Sequence, residues 1–509
     1  MLYLIWFSNH NKYDECKITE LKSLLQIFGY KNDIEILLSD RNTNKYKGEV
    51  FIKINLSEEI EWKNVISRSV LIKGIIEIWS EGSTYDDVLN DLLKKKYLFE
   101  NNLDGKRWRF HFNSFGKIVI QDEKVRKMDH FKTILDKYPN VNLSNPQVEL
   151  SLLEEYDQTN LGILKKIYFG KCIALRKNNK VLVYKRNVDM DPNNLERTKK
   201  SKLAWWINYS LNKRPVLGPT TTDNELAFIM CNIAKIKAGD IVLDPFVGSG
   251  GLLITSSIFN AICLGNDIDI RLLKGHKIAY LNPHMKHKSD KKNIFQNFLH
   301  YNLNLPEIIV SDNSKPIWNS FHKPWVDAIV TDPPYGNRAT VRICLKNAQK
   351  KDNPVNAQPT TNASTLHRSY DGNNTNNDHN GNNSYYCNDP NGDKEEETND
   401  ISQCTQKHDI LTTCNNVEGK RIKSFMTTKT VTYSCTAAVK DLLNIASITL
   451  VDNGMLVFLL PVQLDNLEEE VSLLKHEDFY LISYDMQTFT SCTGRLIVSM
   501  QRKPRIYSN

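Results

Sequence analysis

Residues 241–251 read IVLDPFVGSGG, and this stretch decides the fold. An apolar strand pattern runs into Asp244 and a glycine-rich turn, and the apolar run at 252–259 continues as a helix. Gly248 and Gly250 let the backbone approach a ligand closely at the carboxyl end of the strand. The turn is not a P-loop, because no Lys-Ser/Thr pair follows its glycines. The stretch therefore predicts the ligand-binding unit of a doubly wound α/β sheet.

The next predicted strand, 261–265, ends in Asn266-Asp267-Ile268-Asp269. Asp267 lies 23 residues after Asp244. A carboxylate at about this offset, on the neighbouring strand, is placed to accept hydrogen bonds from ribose hydroxyls. Asp267 is therefore the candidate ribose ligand.

Two further strands, predicted at 308–311 and 327–331, end in Asp312 and Asp332. Taken alone, Asp312 also fits a helix N-cap. Four successive strand ends nevertheless bring polar groups to one edge of the sheet, which is where open α/β folds bind ligands.

The last of these strand ends carries the hexapeptide TDPPYG at 331–336. The Asp332 carboxylate and the Pro333 carbonyl can accept both hydrogens of an exocyclic amine, while Tyr335 offers a stacking face for the ring that bears it. Pro333 and Pro334 fix the backbone and remove its donors. A Pro-Pro-Tyr turn can also be a plain loop or a polyproline ligand, but the strand series before it favours alkylation of a base amine.

The sequence resembles the S-adenosylmethionine-dependent amino methyltransferases that alkylate exocyclic nitrogens of nucleic-acid bases. More narrowly, it is similar to the catalytic subunits of the eukaryotic tRNA (guanine-10-N2)-methyltransferases. The resemblance covers most of 160–340 and 433–503. It is carried by YFGK at 168–171, RPVLGPTTTDNEL at 214–226, KAGD at 237–240, DPFVGSG at 244–250, DID at 267–269, DPPYG at 332–336 and LVDNGMLVF at 450–458.

The resemblance implies a role for each candidate residue. Asp332, Pro333, Pro334 and Tyr335 would form the catalytic motif. The methionine end of S-adenosylmethionine would be held by the turn residues Asp244, Pro245, Phe246, Gly248 and Gly250. Asp267 would bind the ribose, Ile268 would sandwich the adenine ring and Asp312 would bind the adenine amine.

The resemblance also implies partners and a domain order. The substrate would be tRNA, and a small zinc-binding activator subunit would cover apolar surface on the catalytic domain. A Rossmann-like class I methyltransferase domain with a mostly parallel seven-stranded sheet would follow an α+β THUMP-type RNA-binding region. The predicted divisions are 1–160 for the THUMP-type region, 161–213 for a basic linker, and 214–344 and 425–509 for the two parts of the methyltransferase domain.

The remaining division, 345–424, is rich in Asn and poor in aliphatic residues, as in NNTNN at 373–377. Such a segment cannot bury enough apolar surface to offset its ordering entropy, so it is predicted to be a disordered insertion.

Positive charge is concentrated before the catalytic domain. Residues 101–220 hold 23 Lys and Arg against 12 Asp and Glu, whereas the whole chain has a net charge of only +7. The stretch KRWRFHF at 106–112 alternates basic and aromatic side chains, which suits RNA binding. The alternation of Trp108, Phe110 and Phe112 equally fits the buried face of a strand with its charges outward. The same region also shows apolar alternation at 50–54 and 118–120 and helical patterns around 21–28 and 88–98.

Cysteine usage and hydropathy indicate the cellular compartment in which the protein works. The ten cysteines show no Cys-x-x-Cys spacing, which predicts a reducing compartment and no zinc cluster within this chain. The apolar start at 1–7 is too short for a signal peptide, and no apolar run approaches the ~20 residues that span a bilayer. We therefore expect a cytoplasmic protein.

The leading hypothesis is a tRNA guanosine N2-methyltransferase. An amino methyltransferase acting on another guanosine, or on adenine in RNA or DNA, stays open because the same acceptor pair holds either amine. A catalytically silent RNA-binding scaffold is the alternative of another class.

Overall fold

The computed structural model describes residues 1–9, 12–32, 34–37, 48–158, 160, 162–176, 179–182, 200–219, 221–275, 279–283, 285, 290–318, 323–334, 342–344, 428–430 and 434–506. Tyr335 and the predicted Asn-rich insertion lie outside these residues. Residues 1–344 and 428–509 belong to one compact unit.

The N-terminal region is built on one mixed sheet of seven strands, in the order β2-β3-β1-β4-β7-β6-β5. All neighbouring strands pair antiparallel except β5 and β6, which are parallel. The strands are β1 (Leu2–Phe7), β2 (Glu35–Leu37), β3 (Phe51–Asn55), β4 (Ile72–Gly82), β5 (Trp108–Phe115), β6 (Val148–Tyr156) and β7 (Leu164–Leu175). The helices are α1 (Cys16–Ile27), α2 (Trp62–Arg68), α3 (Tyr85–Lys94), α4 (Lys96–Leu103), α5 (Gln121–Asp129) and α6 (Lys132–Leu135).

Strand β7 lies inside the range predicted as a basic linker. It pairs with both β4 and β6, and Ile167, Tyr168 and Phe169 are buried in the sheet's cores. The N-terminal sheet therefore extends to Leu175, and the segment between the two sheets begins after it. Two short strands follow, β8 (Asn179–Leu182) and β9 (Lys200–Leu203).

The aromatic residues of the basic stretch belong to the core. Trp108 and Phe112 are buried, and Phe110 packs against the same cluster. Arg109 is paired with Glu149, with 2.7 Å between Nη2 and Oε1. These aromatics are therefore one packed face of β5, and any RNA contact of the stretch uses its charged side chains. The apolar alternation at 118–120 is not a strand, because Ile118 lies in a loop and is 94% exposed.

The C-terminal domain has the predicted seven-stranded sheet, ordered β14-β12-β11-β15-β18-β20-β19. The first five strands are parallel, and β20 runs antiparallel between β18 and β19. The sheet strands are β11 (Ile241–Asp244), β12 (Ile262–Asp267), β14 (Glu307–Val310), β15 (Val326–Thr331), β18 (Leu450–Gln463), β19 (Phe479–Thr488) and β20 (Thr493–Arg502). Small pairs outside it are β10 (Val216–Leu217) with β13 (Tyr280–Leu281), and β16 (Arg342–Cys344) with β17 (Thr428–Thr430).

Helices pack on both faces of this sheet, so each face needs apolar side chains. Successive residues of β11 supply both faces, because they point to opposite sides. Val242 joins the core that holds α7 and α8, whereas Leu243 joins the core that holds α11. The helices are α7 (Asn224–Ile233), α8 (Gly251–Ile258), α9 (Ile270–Leu273), α10 (Phe295–His300), α11 (Cys435–Thr449) and α12 (Leu467–Ser472). None of the helices described is long and apolar enough to cross a lipid bilayer.

The N-terminal region packs on the C-terminal domain through a polar network around Glu20. Glu20 on α1 is fully buried and accepts hydrogen bonds from Ser69 Oγ, the Val70 and Leu71 amides (2.9 Å each) and Asn232 Nδ2 of α7 (2.8 Å). Arg68 Nε donates to Asn232 Oδ1 at 2.8 Å. The bonds of Asn232 to Glu20 and to Arg68 cross between the two regions, so the N-terminal region and α7 share one polar network.

Candidate active site

Asp244 ends β11 beneath the glycine turn, where it is almost fully buried. Its Oδ1 atom accepts hydrogen bonds from the Thr331 hydroxyl (2.6 Å) and the Phe246 amide (3.1 Å). Both bonds end on Oδ1, so Oδ2 takes part in neither. The next residue, Pro245, is buried, and Phe246 is half-buried. The bond to Thr331 joins the end of β11 to the end of β15, where the strand order reverses.

The glycine turn is held by Asp267 at the end of β12. Asp267 Oδ2 accepts a hydrogen bond from the Gly248 amide at 2.9 Å, and Oδ1 accepts one from the Asp269 amide at 2.8 Å. Gly248 and Gly250 have φ of 51° and 79°. A Cβ on Gly250 would lie 2.7 Å from Ile294 Cδ1. Both the backbone conformation and the packing therefore require glycine at 250.

Asp312 follows β14 and closes a turn. Its Oδ1 atom accepts hydrogen bonds from the amide and the hydroxyl of Ser314, at 2.9 and 2.7 Å. No helix begins there among the described residues, so the N-cap alternative is wrong. The short side chain of Asp312 bonds to the backbone two residues on, which stabilises a turn without a helix.

A buried amide network ties three strand ends together. Asn266 donates to Asn313 Oδ1, Asn313 donates to the Pro245 carbonyl, and the Ser311 hydroxyl donates to Asn266 Oδ1 at 2.6 Å. Sequence reasoning missed the roles of Asn266 and Asn313. The available signal was their position beside the two candidate carboxylates, Asp267 and Asp312.

Asp332 follows β15 and faces the segment before α7. Its Oδ2 atom accepts a hydrogen bond from Thr222 Oγ1 at 3.1 Å. The adjoining Thr221 hydroxyl lies 3.0 Å from Ser249 Oγ in the glycine turn. Pro333 is buried and Pro334 is half-buried. The run of hydroxyl residues at 220–222 was the sequence signal for these contacts, and its role was not predicted.

The structure thus brings most of the candidate residues to one end of the sheet. Asp244 is hydrogen-bonded to Thr331 at the end of β15, and Asp267 is hydrogen-bonded to the glycine turn. Asn313, the residue after Asp312, is hydrogen-bonded to the Pro245 carbonyl. Ile268 is half-buried beside Asp267. The glycines and carboxylates fit a ligand with a cationic end and a ribose, whereas the placement of Tyr335 is not described.

The buried carboxylates change one another's ionisation. Burial raises the pKa of Asp244 to about 7, and the nearby charges of Asp267 and Asp332 add to this shift. Burial also raises the pKa of Asp267. A cationic ligand beside these groups would favour their charged forms.

We expect Asp244→Asn to stabilise the ligand-free protein at high pH. Between pH ~4 and the folded-state pKa of about 7, the folded protein holds a proton that the unfolded chain has lost, so the free energy of unfolding decreases as pH rises through this window. Asn keeps the acceptor oxygen for both bonds and carries no charge. The gain should reach at most ~4 kcal/mol at pH 8 and be smaller at pH 5. Thermal melts at both pH values test this, and an equal gain at both would contradict the raised pKa.

Comparison with known proteins agrees with this architecture. Residues 1–178 match the family described as the Tmrp11 THUMP N-terminal domain, and residues 212–293 match the RMKL-like methyltransferase domain. The chain is 29% identical over 499 residues to the tRNA (guanine(10)-N(2))-methyltransferase TRMT11 of Mus musculus, covering 96% of this chain and 85% of the mouse protein. It is 28% identical over 497 residues to the Homo sapiens protein of the same name, covering 96% of this chain and 86% of the human one. Among solved structures, TrmN from Thermus thermophilus aligns with a TM-score of 0.35 and 12% identity, covering 99% of this chain and 100% of that one.

The sheet order and the two domain matches define a class I methyltransferase joined to a THUMP-type N-terminal domain. The similarity to the curated relatives runs through both domains and almost the whole chain. The chain belongs to the TRMT11 family of tRNA (guanine(10)-N(2))-methyltransferases.

Proposed function

We propose that this protein transfers a methyl group from S-adenosylmethionine to the exocyclic N2 of guanosine 10 in tRNA. The observation that carries the proposal is the position of Asp332-Pro333-Pro334. This motif directly follows β15, and Thr331 at the strand end is bonded to Asp244, so the amine-binding motif adjoins the glycine turn.

The residues of the turn would hold the cofactor. Asp244, Gly248 and Gly250, with Pro245 and Phe246, would hold its methionine end. Asp267 would accept hydrogen bonds from the ribose hydroxyls, Ile268 would pack on the adenine ring and Asp312 would bind the adenine amine. The support is chemical, because buried carboxylates suit a cationic ligand and a glycine turn lets the backbone come close to it.

The residues after β15 would act on the substrate. S-adenosylmethionine supplies an electrophilic methyl group on a sulfonium. Asp332 and the Pro333 carbonyl would accept the two amine hydrogens and aim the nitrogen lone pair at that methyl group. Tyr335 would stack on the flipped base. Transfer would form the N–C bond as the S–C bond breaks, and Asp332 would take the amine proton, directly or through water.

We expect methylation to depend on the base at position 10. The test is methyl transfer from labelled S-adenosylmethionine to tRNA, with this protein co-expressed with the activator subunit and tRNA carrying guanosine or adenosine at position 10. Incorporation that is lost with adenosine would establish the reaction and the site together. Incorporation that persists would move the target to another nucleotide, and no incorporation with cofactor bound would favour a different substrate or the scaffold alternative.

The activator subunit is part of the same proposal. In the described sheet, β14 is an edge strand paired on one side with β12. Exposed apolar side chains occur in both strands (Val310, Ile262), in the segments that flank β14 (Leu305, Ile317) and in the preceding helix α10 (Leu299), each between 48% and 57% exposed. An exposed edge with apolar neighbours is a surface on which a partner can add a strand. We assign this edge to the small zinc-binding activator.

A cytoplasmic location completes the proposal. It rests on the ten cysteines without paired spacing, six of which are free thiols in the structure: Cys16, Cys172, Cys231, Cys263, Cys435 and Cys492.

A further inference from the structure

Arg214 is a buried cation that the proposed roles above do not use. Its side chain is fully buried, and within the described part of the chain none of its three guanidinium nitrogens makes a hydrogen bond of good geometry. Burial lowers the pKa of Arg214, while the adjacent Tyr301 hydroxyl and the charge of Asp223 oppose this shift. A buried guanidinium without an ion-pair partner is strongly destabilising, so its presence calls for an anionic partner.

The backbone around Arg214 is firmly held, so its position is not that of a loose surface side chain. Asn282 Nδ2 donates to the carbonyls of Leu211 and Arg214, at 3.0 Å each. The Val216 amide donates to Asn297 Oδ1, and Asn297 Nδ2 donates to the Val216 carbonyl, at 2.9 Å each. The Tyr301 hydroxyl donates to the carbonyl of Lys213 at 3.0 Å. Three side chains thus fix the segment that presents the guanidinium.

The guanidinium lies against the first turn of α8. A Cβ built on Gly251 would be 3.2 Å from Arg214 Nη1 and 3.8 Å from Thr221 Cγ2. The N-cap of α8 is Gly250, which has no side chain to accept from the first amides. The amino end of a helix carries partial positive charge, so the guanidinium and the helix repel each other and both favour an anion.

We propose that Arg214 and the first turn of α8 bind the carboxylate at the amino-acid end of the methyl donor. This assignment rests on the proposed function, in which the same glycine turn holds that end of the cofactor. The amino-acid end is a zwitterion, and the site offers complementary charges, with Asp244 for the ammonium group and Arg214 for the carboxylate. A phosphate of RNA is the competing anion, and the experiment below distinguishes the two.

The test compares two ligands that differ in the amino-acid end. S-adenosylhomocysteine carries the carboxylate, whereas 5′-methylthioadenosine keeps the adenosine and the thioether but lacks it. We expect Arg214→Met to weaken S-adenosylhomocysteine binding ~30-fold in calorimetry and to leave 5′-methylthioadenosine binding unchanged. Arg214→Lys, which keeps a positive charge, should lose less affinity for S-adenosylhomocysteine.

Several outcomes would overturn the assignment. Equal weakening of both ligands would indicate a structural role for Arg214, and unchanged S-adenosylhomocysteine binding would remove Arg214 from the site. Loss of tRNA binding with intact S-adenosylhomocysteine binding would indicate a phosphate contact instead. If the wild-type protein bound neither ligand, the cofactor proposal would fail and this assignment with it.

A second measurement does not depend on a folded variant. Decarboxylated S-adenosylmethionine lacks the carboxylate and should bind the wild-type protein at least ~10-fold more weakly than S-adenosylmethionine. Equal affinity for the two would overturn the assignment even if Arg214→Met did not fold.

Discussion

Asp332→Ala is expected to reduce methyl transfer at least ~1,000-fold while cofactor affinity changes little. The carboxylate lies at the end of β15, where it accepts a hydrogen bond from Thr222 Oγ1 at 3.1 Å. In the proposed reaction it orients the amine and receives its proton, and both contributions disappear in the Ala variant. Single-turnover methyl transfer to tRNA measures the first effect, and calorimetry with S-adenosylhomocysteine measures the second.

Thr222→Val is the matched control for Asp332. It removes the hydroxyl that donates to Asp332 but keeps the carboxylate, so we expect a loss of only ~10-fold in the same assay. Near-normal turnover by Asp332→Ala would refute the catalytic assignment. A loss as large in Thr222→Val would instead show that the geometry of the motif, and not the carboxylate itself, limits the rate.

The strand ends of the site could be predicted from the sequence because their signals are local. Asp244, Asp267 and Asp332 each follow a short apolar run, and parallel strands place their carboxyl ends at one edge of the sheet. The contacts that join these ends are not local. Asn313 bonds to Pro245, 68 residues away, and Asp332 bonds to Thr222, 110 residues away. A pattern within one strand contains no information about such pairings.

The boundaries of β18 show a second limit of sequence reasoning. The triplet Asp-Asn-Gly at 452–454 is a sequence signal for a turn, so the sequence alone predicts that the strand starts at Met455. The signal is real, because Asn453 has φ of 65°, but the structure places it inside β18 as an irregularity. Val326 of β15 pairs with Leu450 and Ala328 pairs with Met455, so the ladder continues past the extra residues. Turn chemistry fixes the local backbone, whereas the neighbouring strand decides whether pairing resumes.

The burial of Arg214 shows a third limit. A Lys or Arg in a sequence is expected at the surface, since charged side chains are rarely fully buried. Only the folded arrangement of the 211–217 segment against Asn282, Asn297 and Tyr301 reveals that this guanidinium is enclosed. The proposed role of Arg214 in binding the cofactor carboxylate therefore could not be derived from composition or spacing.

Asp267→Ala is expected to weaken S-adenosylhomocysteine binding ~100-fold, which is the largest effect on cofactor affinity in this site. Asp267 has two functions in the proposal. It holds the glycine turn through the Gly248 amide at 2.9 Å, and it would accept hydrogen bonds from the ribose hydroxyls. Ala removes both, and it also leaves the Gly248 and Asp269 amides without their acceptor.

The ligand pair used for Arg214 distinguishes the two residues. Ribose is common to S-adenosylhomocysteine and 5′-methylthioadenosine, so Asp267→Ala should weaken both, whereas Arg214→Met should weaken only the first. Asp269→Asn is the matched control, because this carboxylate lies two residues on and is paired with Arg271. It should change either affinity less than ~3-fold. Normal binding of both ligands by Asp267→Ala would assign the ribose to another residue, and a selective loss of S-adenosylhomocysteine would move Asp267 to the methionine end.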